Sequence, residues 1–225
     1  MKLGSPIDII KKSVTIFFEK KNMINFVKIY LPLLPFSLFA IWQSMYVKNV
    51  DQLKDPKMVG TVALINLAYL IVYLWIWIAG VMAIKLIINN EKFIIKNIYK
   101  KAWATVWKFS FLSLVLMLIY FGGLILLLIP ALIFGIWYSF SKFIFIDKNV
   151  GIKESLSKSK QLINGRFWAI LGRYIVFGLA VGLFNILVSA LPFGLGGIVT
   201  TLFGALFVLP YYLLYLELLK AYKNN

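Results

Sequence analysis

Residues that could carry acid–base or metal chemistry are scarce in this chain. Its 225 residues include eight aspartates and glutamates, and it has neither histidine nor cysteine. Histidine is the commonest side chain for proton transfer near neutral pH and for metal binding, and without cysteine there are no disulfides or thiolate nucleophiles. Asp51 and Asp55 are close in sequence but have no catalytic partner nearby. The inventory predicts a protein that is not an enzyme and holds neither a cofactor nor a metal.

The remaining candidate groups are polar side chains within apolar runs. Asn66 and Asn185 could line a polar path, although hydrogen bonds between helices are the commoner use of such residues. Lys142, Arg173 and Glu217 lie near the ends of apolar runs, where long side chains can reach the membrane surface. We predict that Glu217 pairs with Arg173 or Lys142 in a structural ion pair. No carboxylate falls at the centre of a run, so the sequence gives no proton relay.

The elements that must position these groups are membrane spans. The chain is 62% hydrophobic, with a mean hydropathy of +0.89, which is more apolar than a soluble fold of this length can bury. Runs of about 20 apolar residues cross a bilayer as helices. Six spans are predicted, at 29–47, 59–84, 109–128, 131–146, 167–190 and 196–219.

Prolines raise two questions about these spans. Pro130 lies between the third and fourth spans and favours a helical hairpin there, because proline starts a helix well and interrupts one poorly; one long broken segment is the alternative. Pro32, Pro35 and Pro210 fall inside or near spans. They could mark broken helices that bind a substrate, as in some transporters, or kinks that neighbouring helices accommodate, which is the commoner case.

The positive charges predict the orientation. Of the 24 lysine and arginine residues, all but Lys48, Lys54 and Lys57 fall in segments on one side of the six spans. Lysine and arginine favour the cytoplasmic side, so both termini are predicted to be cytoplasmic. This pattern also accounts for the net charge of +16, and no nucleic-acid partner is predicted.

Three basic segments, each followed by two spans, have one apolar helical face. All three follow the spacing of a helix with one buried side. The stripes are Ile7, Ile10, Val14, Phe17 and Phe18; Ile95, Ile98, Ala102 and Val106; and Ile152, Leu156, Ser159 and Ile163. The predicted fold is therefore all-α: one integral membrane domain over 1–225, with six spans and about three cytoplasmic amphipathic elbow helices. It divides into three helix-span-span units, 1–90, 91–147 and 148–225.

Basic residues beside a membrane can bind its anionic lipids at about 1 kcal/mol each. The predicted contacts with the anionic inner leaflet are Lys11, Lys12, Lys20, Lys21, Lys158, Lys160 and Arg166. The alternative is that these residues serve mainly to set the topology. The first segment, with Phe17 and Phe18, is the best candidate for a helix lying in lipid.

The third basic segment, within residues 150–168, has a different character. A turn at 147–151 precedes it, and Asn164–Gly165 stops it, because glycine accepts the left-handed conformation that ends a helix. Ser155 and Ser159 lie on its apolar face, where a lipid anchor would carry large apolar side chains. Small residues allow close approach to protein, so we expect this helix to pack against the cytoplasmic ends of the spans.

The second half of the chain, roughly 93–222, resembles the membrane domain of glycerophosphoryl diester phosphodiesterases and related stand-alone prokaryotic membrane proteins. The matching features are Ile129–Pro130, the 147–151 turn, Ser155-Leu156 with Ser159, and Gly165 followed by Phe167-Trp168. The resemblance implies an all-helical, multi-pass protein of a prokaryotic plasma (inner) membrane. It implies no phosphodiesterase activity, because the chemistry of those enzymes belongs to a separate soluble domain.

Two functions are compatible with these features. The first is a non-enzymatic accessory protein that scaffolds partners or senses lipid at the cytoplasmic leaflet. The second is a transporter or flippase-like carrier of a lipid or another amphiphile. A polar cavity lined by Asn66 and Asn185 would favour the carrier, whereas a fully packed apolar bundle would favour the accessory role. The sequence predicts membrane lipids as partners. It does not decide whether the chain also binds a protein partner or forms a homo-oligomer.

Overall fold

Helices form almost all of the part of the chain that the computed structural model describes, residues 3–46, 56–126 and 128–223. The predicted loop that contains Lys48, Asp51, Lys54 and Asp55 lies outside these residues. No strand occurs within the described ranges, in agreement with the predicted all-α class. The α-helices, in chain order, are α1 Pro6–Phe18, α2 Lys20–Tyr30, α3 Leu34–Tyr46, α4 Pro56–Ile88, α5 Ile95–Leu126, α6 Leu128–Trp137, α7 Ser141–Lys148, α8 Ile152–Ile163, α9 Phe167–Ser189, α10 Leu195–Leu202 and α11 Gly204–Lys223.

Six helical stretches are long and apolar enough to cross a membrane, so the predicted multi-pass architecture is confirmed. The first span begins at Lys20 rather than near residue 29, because α2 continues through a short 3-10 turn into α3. The six stretches are Lys20–Gln43, Pro56–Ile88, Ile95–Ile125, Leu128–Lys148, Phe167–Ser189 and Pro192–Tyr222.

The third and fourth spans form the predicted hairpin. Pro130 lies in the first turn of α6, where its fixed φ suits a helix start and its missing N–H is not needed. A Cβ placed on Gly123 of α5 would lie 2.7 Å from the Cα of Ala131. Glycine at this position therefore lets the backbones of α5 and α6 approach closely beside the turn.

Two of the three predicted elbow helices are separate elements, and one is not. The first is α1 and the third is α8, but the second basic segment is the beginning of α5 and runs without a break into the third span. Neither glycine nor proline lies between Ile95 and Ser110 to end the helix. The predicted stripe on this segment is nonetheless buried at Ile98, Ala102 and Val106.

The packed core is concentrated at the lysine-rich ends of the helices. In α4 every buried residue lies between Ile76 and Ile84, and none of residues 56–75 is buried. We call the part built from α1, α7, α8 and the lysine-bearing ends of α4, α5 and α11 the lysine-rich half. We call the part built from α3, residues 56–75, residues 178–187 and α10 the charge-poor half.

Aromatic rings fill the lysine-rich half. Phe140, at the turn between α6 and α7, is fully buried, and its ring centroid lies 5.9 Å from that of Tyr174 and 6.2 Å from that of Tyr215. Phe143 stacks on Tyr215 at 5.9 Å and meets Tyr212 edge-on at 5.6 Å. These contacts fix α7 between α4, α9 and α11.

Candidate ligand-binding cleft

Two of the six spans are broken at the same place in the bundle. The first span breaks at the 3-10 turn Leu31–Leu33, which contains Pro32. The sixth breaks at Phe203, between α10 and α11. A break releases backbone carbonyls from the helical ladder, and the Tyr99 hydroxyl lies 3.0 Å from the carbonyl oxygens of both Lys28 and Ile29. The break in the first span is therefore supported by a side chain of α5.

Tyr30, the last residue of α2, fills the space between the two broken spans and α4. Only 5% of the side chain is exposed, and its hydroxyl has no hydrogen-bond partner among the residues that the structure describes. A Cβ on Gly80 would lie 2.5 Å from the hydroxyl oxygen, and a Cβ on Gly204 would overlap the ring. The two glycines therefore create the space that Tyr30 occupies. An unsatisfied buried hydroxyl costs about 1–3 kcal/mol, so a polar group that reached it would be bound favourably.

Two adjoining cavities open beside Tyr30, with volumes of about 470 Å³ and about 310 Å³. They share Tyr69, Thr200 and Thr201 on their walls. We call the two cavities together the charge-poor cleft, because none of the described residues that line them is a lysine, arginine, aspartate or glutamate. The larger cavity is lined by Phe36, Ser37, Phe39, Ala40, Ile41, Gln43, Ile65, Asn66, Tyr69, Gly194, Gly197, Thr200 and Thr201. The smaller is lined by Tyr30, Leu33, Tyr69, Tyr73, Trp77, Asn185, Thr200, Thr201, Gly204, Phe207 and Val208.

Both predicted intramembrane asparagines line this cleft. Asn66 lies in the larger cavity and Asn185 in the smaller. Each donates to the carbonyl one turn earlier in its own helix, Asn66 to Val62 at 2.9 Å and Asn185 to Val181 at 3.0 Å. Their amide oxygens therefore remain available to accept hydrogen bonds within the cleft.

A hydroxyl pair joins α3 to α10 across the wall of the larger cavity. Ser37 and Thr201 are hydrogen-bonded at 2.8 Å. Both hydroxyls also have local partners, Ser37 the Leu33 carbonyl at 3.4 Å and Thr201 the Gly197 carbonyl at 2.8 Å. The cleft thus offers hydroxyl and amide groups on a wall that is otherwise aromatic and aliphatic.

The three residues of the predicted ion pair have other partners in the structure. Arg173 donates to the carbonyl of Gly4 at 2.7 Å, and Glu217 accepts the N–H of Gly4 at 2.9 Å. Lys142 lies 5.6 Å from the ring centroid of Trp77. Among the described residues there is no direct ion pair between Glu217 and either cation. The arginine and the glutamate instead hold the start of the chain between α9 and α11, because the extended backbone before α1 has its N–H and C=O groups free.

A cluster of polar side chains around one buried acid, Asp147, lies in the lysine-rich half, and the sequence did not reveal it. Asp147, whose side chain is 8% exposed, is 2.7 Å from the ammonium of Lys85. Its other carboxylate oxygen accepts a hydrogen bond from the Tyr215 hydroxyl at 3.1 Å. The sequence predicts that Asp147 lies in a turn between helices, whereas the structure places it in the last helical turn of α7. The cluster joins α4, α7 and α11 where these helices converge.

Six of the seven predicted lipid-contact residues are exposed and Arg166 is half-buried, and all seven are scattered over several elements. Lys11 and Lys12 lie on α1, and Lys20 and Lys21 on α2, all with exposed side chains. Lys158 pairs with Glu154 at 2.6 Å. The ammonium of Lys160 lies 4.3 Å from the ring centroid of Trp137, and Arg166 directly precedes α9. These residues do not form a common pocket.

The third basic segment packs as predicted, and Ser159 explains how. The Ser159 hydroxyl donates to the carbonyl of Trp137 at 2.8 Å and accepts the N–H of Phe140 at 3.2 Å. Trp137 ends α6 and Phe140 precedes α7, so one hydroxyl satisfies two backbone groups that the helix break leaves unpaired. Ser155 and Ser159 are fully buried. α8 therefore acts as a brace across the broken fourth span.

The comparisons with known proteins add no relative to this description. No family model matches the chain, and neither a curated protein nor a solved structure matches it at a significant level. The structure itself defines the class, an all-α protein with six candidate membrane spans. Among the described residues no group of three or more aspartate or glutamate side chains could hold a metal ion.

Sequence reasoning found part of the cleft and missed its centre. Asn66 and Asn185 were identified because polar residues within apolar runs are rare. Tyr30, Tyr69 and Tyr73 gave no such signal, since tyrosine is common near membrane surfaces. The only hint was Pro32, two residues after Tyr30, which marks the break that positions this side chain.

Proposed function

We propose that this chain is a non-enzymatic integral membrane protein that binds an amphiphile in the charge-poor cleft and carries it between leaflets. The observation that carries this proposal is the meeting of two broken spans around an uncharged cleft that contains both intramembrane asparagines and the unpartnered Tyr30 hydroxyl. Discontinuous helices at the bundle centre are typical of transporter binding sites. A fully packed apolar bundle would have supported the accessory role instead.

The lining of the cleft indicates the class of amphiphile. Hydroxyl, amide and aromatic groups line it, and no charged side chain does among the residues that the structure describes. Such a wall can hydrogen-bond hydroxyl groups and stack on the apolar face of a sugar ring, but it cannot neutralise an ionised head group. The proposed ligand is therefore a lipid with an uncharged, hydroxyl-rich head group, such as a glycosyl diacylglycerol.

The carrier is tested by lipid movement across vesicles. The protein is reconstituted in phosphatidylcholine vesicles with a glucosyl diacylglycerol that carries a fluorophore on its acyl chain, and dithionite then reduces the fluorophores in the outer leaflet. We expect the protected fraction to fall faster than in protein-free vesicles. The double variant Asn185→Leu, Thr201→Val removes an amide and a hydroxyl from the cleft and should slow this movement about fivefold or more.

A matched control separates the cleft from the rest of the helix. Ser189→Ala removes a hydroxyl from the exposed end of α9, where it bonds only to the Ile186 carbonyl, and should leave the rate unchanged. If the wild-type protein moves the labelled lipid no faster than protein-free vesicles, the carrier proposal fails. Equal slowing by the control variant would also contradict it.

The proposed location is the plasma membrane of a prokaryote, with both termini in the cytoplasm. The lysine distribution supports this orientation. Because the chain has no cysteine, single cysteines report it directly. Ala190→Cys, in the exposed turn after α9, should react with an impermeant maleimide in intact cells. Lys100→Cys and Lys158→Cys should react only after lysis, and external labelling of either would reverse the orientation.

A second candidate function, lipid sensing or scaffolding at the cytoplasmic leaflet, is favoured by α1. Ile7, Val14 and Phe18 form an exposed apolar face on this helix, with Lys11 and Lys12 beside it. The opposite face, at Ile9, Ser13 and Phe17, is buried in the bundle. A protein that binds the labelled glycolipid but does not move it would support this accessory role over the carrier.

The resemblance to the membrane domain of glycerophosphoryl diester phosphodiesterases remains a prediction. It is compatible with either function, because a membrane domain beside a lipid-processing enzyme could deliver an amphiphile or position the enzyme. Ser159 is the residue of that resemblance with the clearest structural role, since it bridges the break between α6 and α7.

A further inference from the structure

A second pocket lies in the lysine-rich half, where α4 ends and α5 begins. Its volume is about 540 Å³, and it is separate from the charge-poor cleft. Three of the four charged residues on its wall are lysines, contributed by the last turns of α4, the connection to α5 and the second turn of α5. The lining residues are Met82, Lys85, Leu86, Glu91, Lys92, Ile94, Asn97, Ile98, Lys101 and Ile146.

The lysines of this pocket differ in their partners. Lys85 is held against Asp147, 2.7 Å from its carboxylate. Lys92 and Lys101 form no ion pair with any residue in the described ranges. Glu91 is the one acid among the described residues of the wall, and its carboxylate accepts a hydrogen bond from the Asn89 amide at 2.9 Å. Two uncompensated ammonium groups therefore converge on one concave surface.

The first turn of α5 reinforces the positive charge. The N-terminal turn of a helix has backbone N–H groups without intrahelical partners and carries the positive end of the helix dipole. α5 begins at Ile95, between wall residues Ile94 and Asn97. The N–H groups of the wall residues Asn97 and Ile98 both donate to the Ile94 carbonyl at 3.1 Å. This end of α5 therefore contributes the positive end of its dipole to the lysine-lined pocket, rather than open N–H donors.

Apart from Asn97, the rest of the wall is apolar. Met82, Leu86, Ile98 and Ile146 line the side that faces the bundle. A pocket for a small inorganic ion has no need of this surface, whereas the glycerol and first methylenes of a phospholipid would bury against it.

We propose that this pocket binds a phosphate group, contributed either by the head group of an anionic phospholipid or by a soluble phosphate compound. Lys92 and Lys101 neutralise the phosphate oxygens, and the positive end of the α5 dipole adds to their attraction. None of the residues first predicted to contact anionic lipid belongs to this pocket, because those residues are spread over α1, α2, α8 and the start of α9.

The test measures binding to the full-length protein in an uncharged detergent. The probes are dihexanoyl phosphatidic acid, dihexanoylglycerol with the same chains but no phosphate, and sodium phosphate, each followed by native mass spectrometry and calorimetry. We expect the phosphatidic acid to bind and dihexanoylglycerol not to. K92Q/K101Q should weaken binding about tenfold or more, because a lysine near an anionic lipid is worth roughly a fivefold change in affinity.

A charge-matched control decides whether the pocket or the general positive charge is responsible. K96Q/K100Q removes two exposed lysines from the same helix start, outside the pocket wall, and should change the affinity less than about twofold. If sodium phosphate binds as tightly as the lipid and with the same dependence on Lys92 and Lys101, the source is a soluble phosphate compound and the site stands. Equal loss in both double variants, or equal binding of dihexanoylglycerol, overturns the proposal.

Discussion

The two halves of the molecule use the same helices in different ways. In the lysine-rich half α4 is buried at nearly every position from Ile76 to Ile84, and aromatic rings close the centre. In the charge-poor half the same helix has no buried residue over 56–75, and a cleft separates it from α3 and α10. Stability is therefore concentrated in one half, and space for a ligand in the other. This division resembles the separation of a rigid scaffold from a mobile binding region that is common in proteins.

The largest expected effect is a loss of stability when an aromatic ring is removed from the centre of the lysine-rich half. Its size tests whether stability differs between the two halves. Phe140→Ala removes a fully buried ring and should lower the free energy of unfolding by about 3–5 kcal/mol. Phe121→Ala removes a ring that is 55% exposed at the other end of α5 and should change it by less than about 1 kcal/mol. Unfolding in mixed detergent micelles, followed by tryptophan fluorescence, measures both. Equal losses would show that the two halves are equally packed.

The next largest effect concerns the cluster around the buried Asp147. Asp147→Asn leaves Lys85 and Tyr215 without their charged acceptor and should lower the free energy of unfolding by about 1–3 kcal/mol. Glu154→Gln is the control, because its ion pair with Lys158 is about half exposed on both sides and such pairs contribute less than about 1 kcal/mol. The same unfolding measurement compares them, and a larger loss for Glu154→Gln would contradict the assignment of the cluster.

A smaller effect is expected at the brace between α8 and the broken fourth span. Ser159→Ala removes the hydroxyl that donates to the Trp137 carbonyl and accepts from the Phe140 N–H. This change should lower the free energy of unfolding by about 1–2 kcal/mol. Ser157→Ala, at an exposed position on the same helix, should cost less than about 0.5 kcal/mol. Hydrogen exchange of the Phe140 amide provides an independent readout. An unchanged exchange rate in Ser159→Ala would show that the brace does not protect the break.

The smallest effect has the opposite sign and belongs to the charge-poor cleft, which Tyr30 lines. Tyr30→Phe removes a buried hydroxyl that has no partner in the described part of the chain, and should stabilise the ligand-free protein by about 1 kcal/mol. The same change should weaken glycolipid binding severalfold, because the ligand loses a donor. Tyr222→Phe, at an exposed position, should alter neither quantity. A Tyr30→Phe variant that is destabilised and still binds normally would mean that the hydroxyl serves the fold.

The sequence predicted the spans well because hydropathy and length act locally. Four of the six predicted spans overlap closely with helical stretches that the structure describes, the third covers only the later part of Ile95–Ile125, and the hairpin at Pro130 follows from the same local rules. The first span was placed too far along the chain, since Lys20 and Lys21 interrupt the apolar pattern at its start. The joining of the second basic segment to α5 was also missed, because amphipathic periodicity indicates a buried face but not where a helix ends.

The partners of individual side chains were less accessible to prediction. Glu217 was predicted to pair with Arg173 or Lys142, but in the structure Glu217 and Arg173 both bind the backbone of Gly4 instead. A backbone segment that folds back over 169 residues of chain to Arg173 has no signature in composition or spacing. For the same reason Asp147, Lys85 and Tyr215, which lie on three different helices, could not be grouped from the sequence.

By itself the sequence determined that this is an all-α, multi-pass protein, because apolar helices need about 20 residues to cross a bilayer. It also determined that α8 would pack against protein, because Ser155 and Ser159 occupy its apolar face. Only the tertiary structure decided where the breaks in the first and sixth spans meet. That meeting depends on Gly80 and Gly204 leaving room for Tyr30, and such a fit between distant segments is a property of packing rather than of any local pattern.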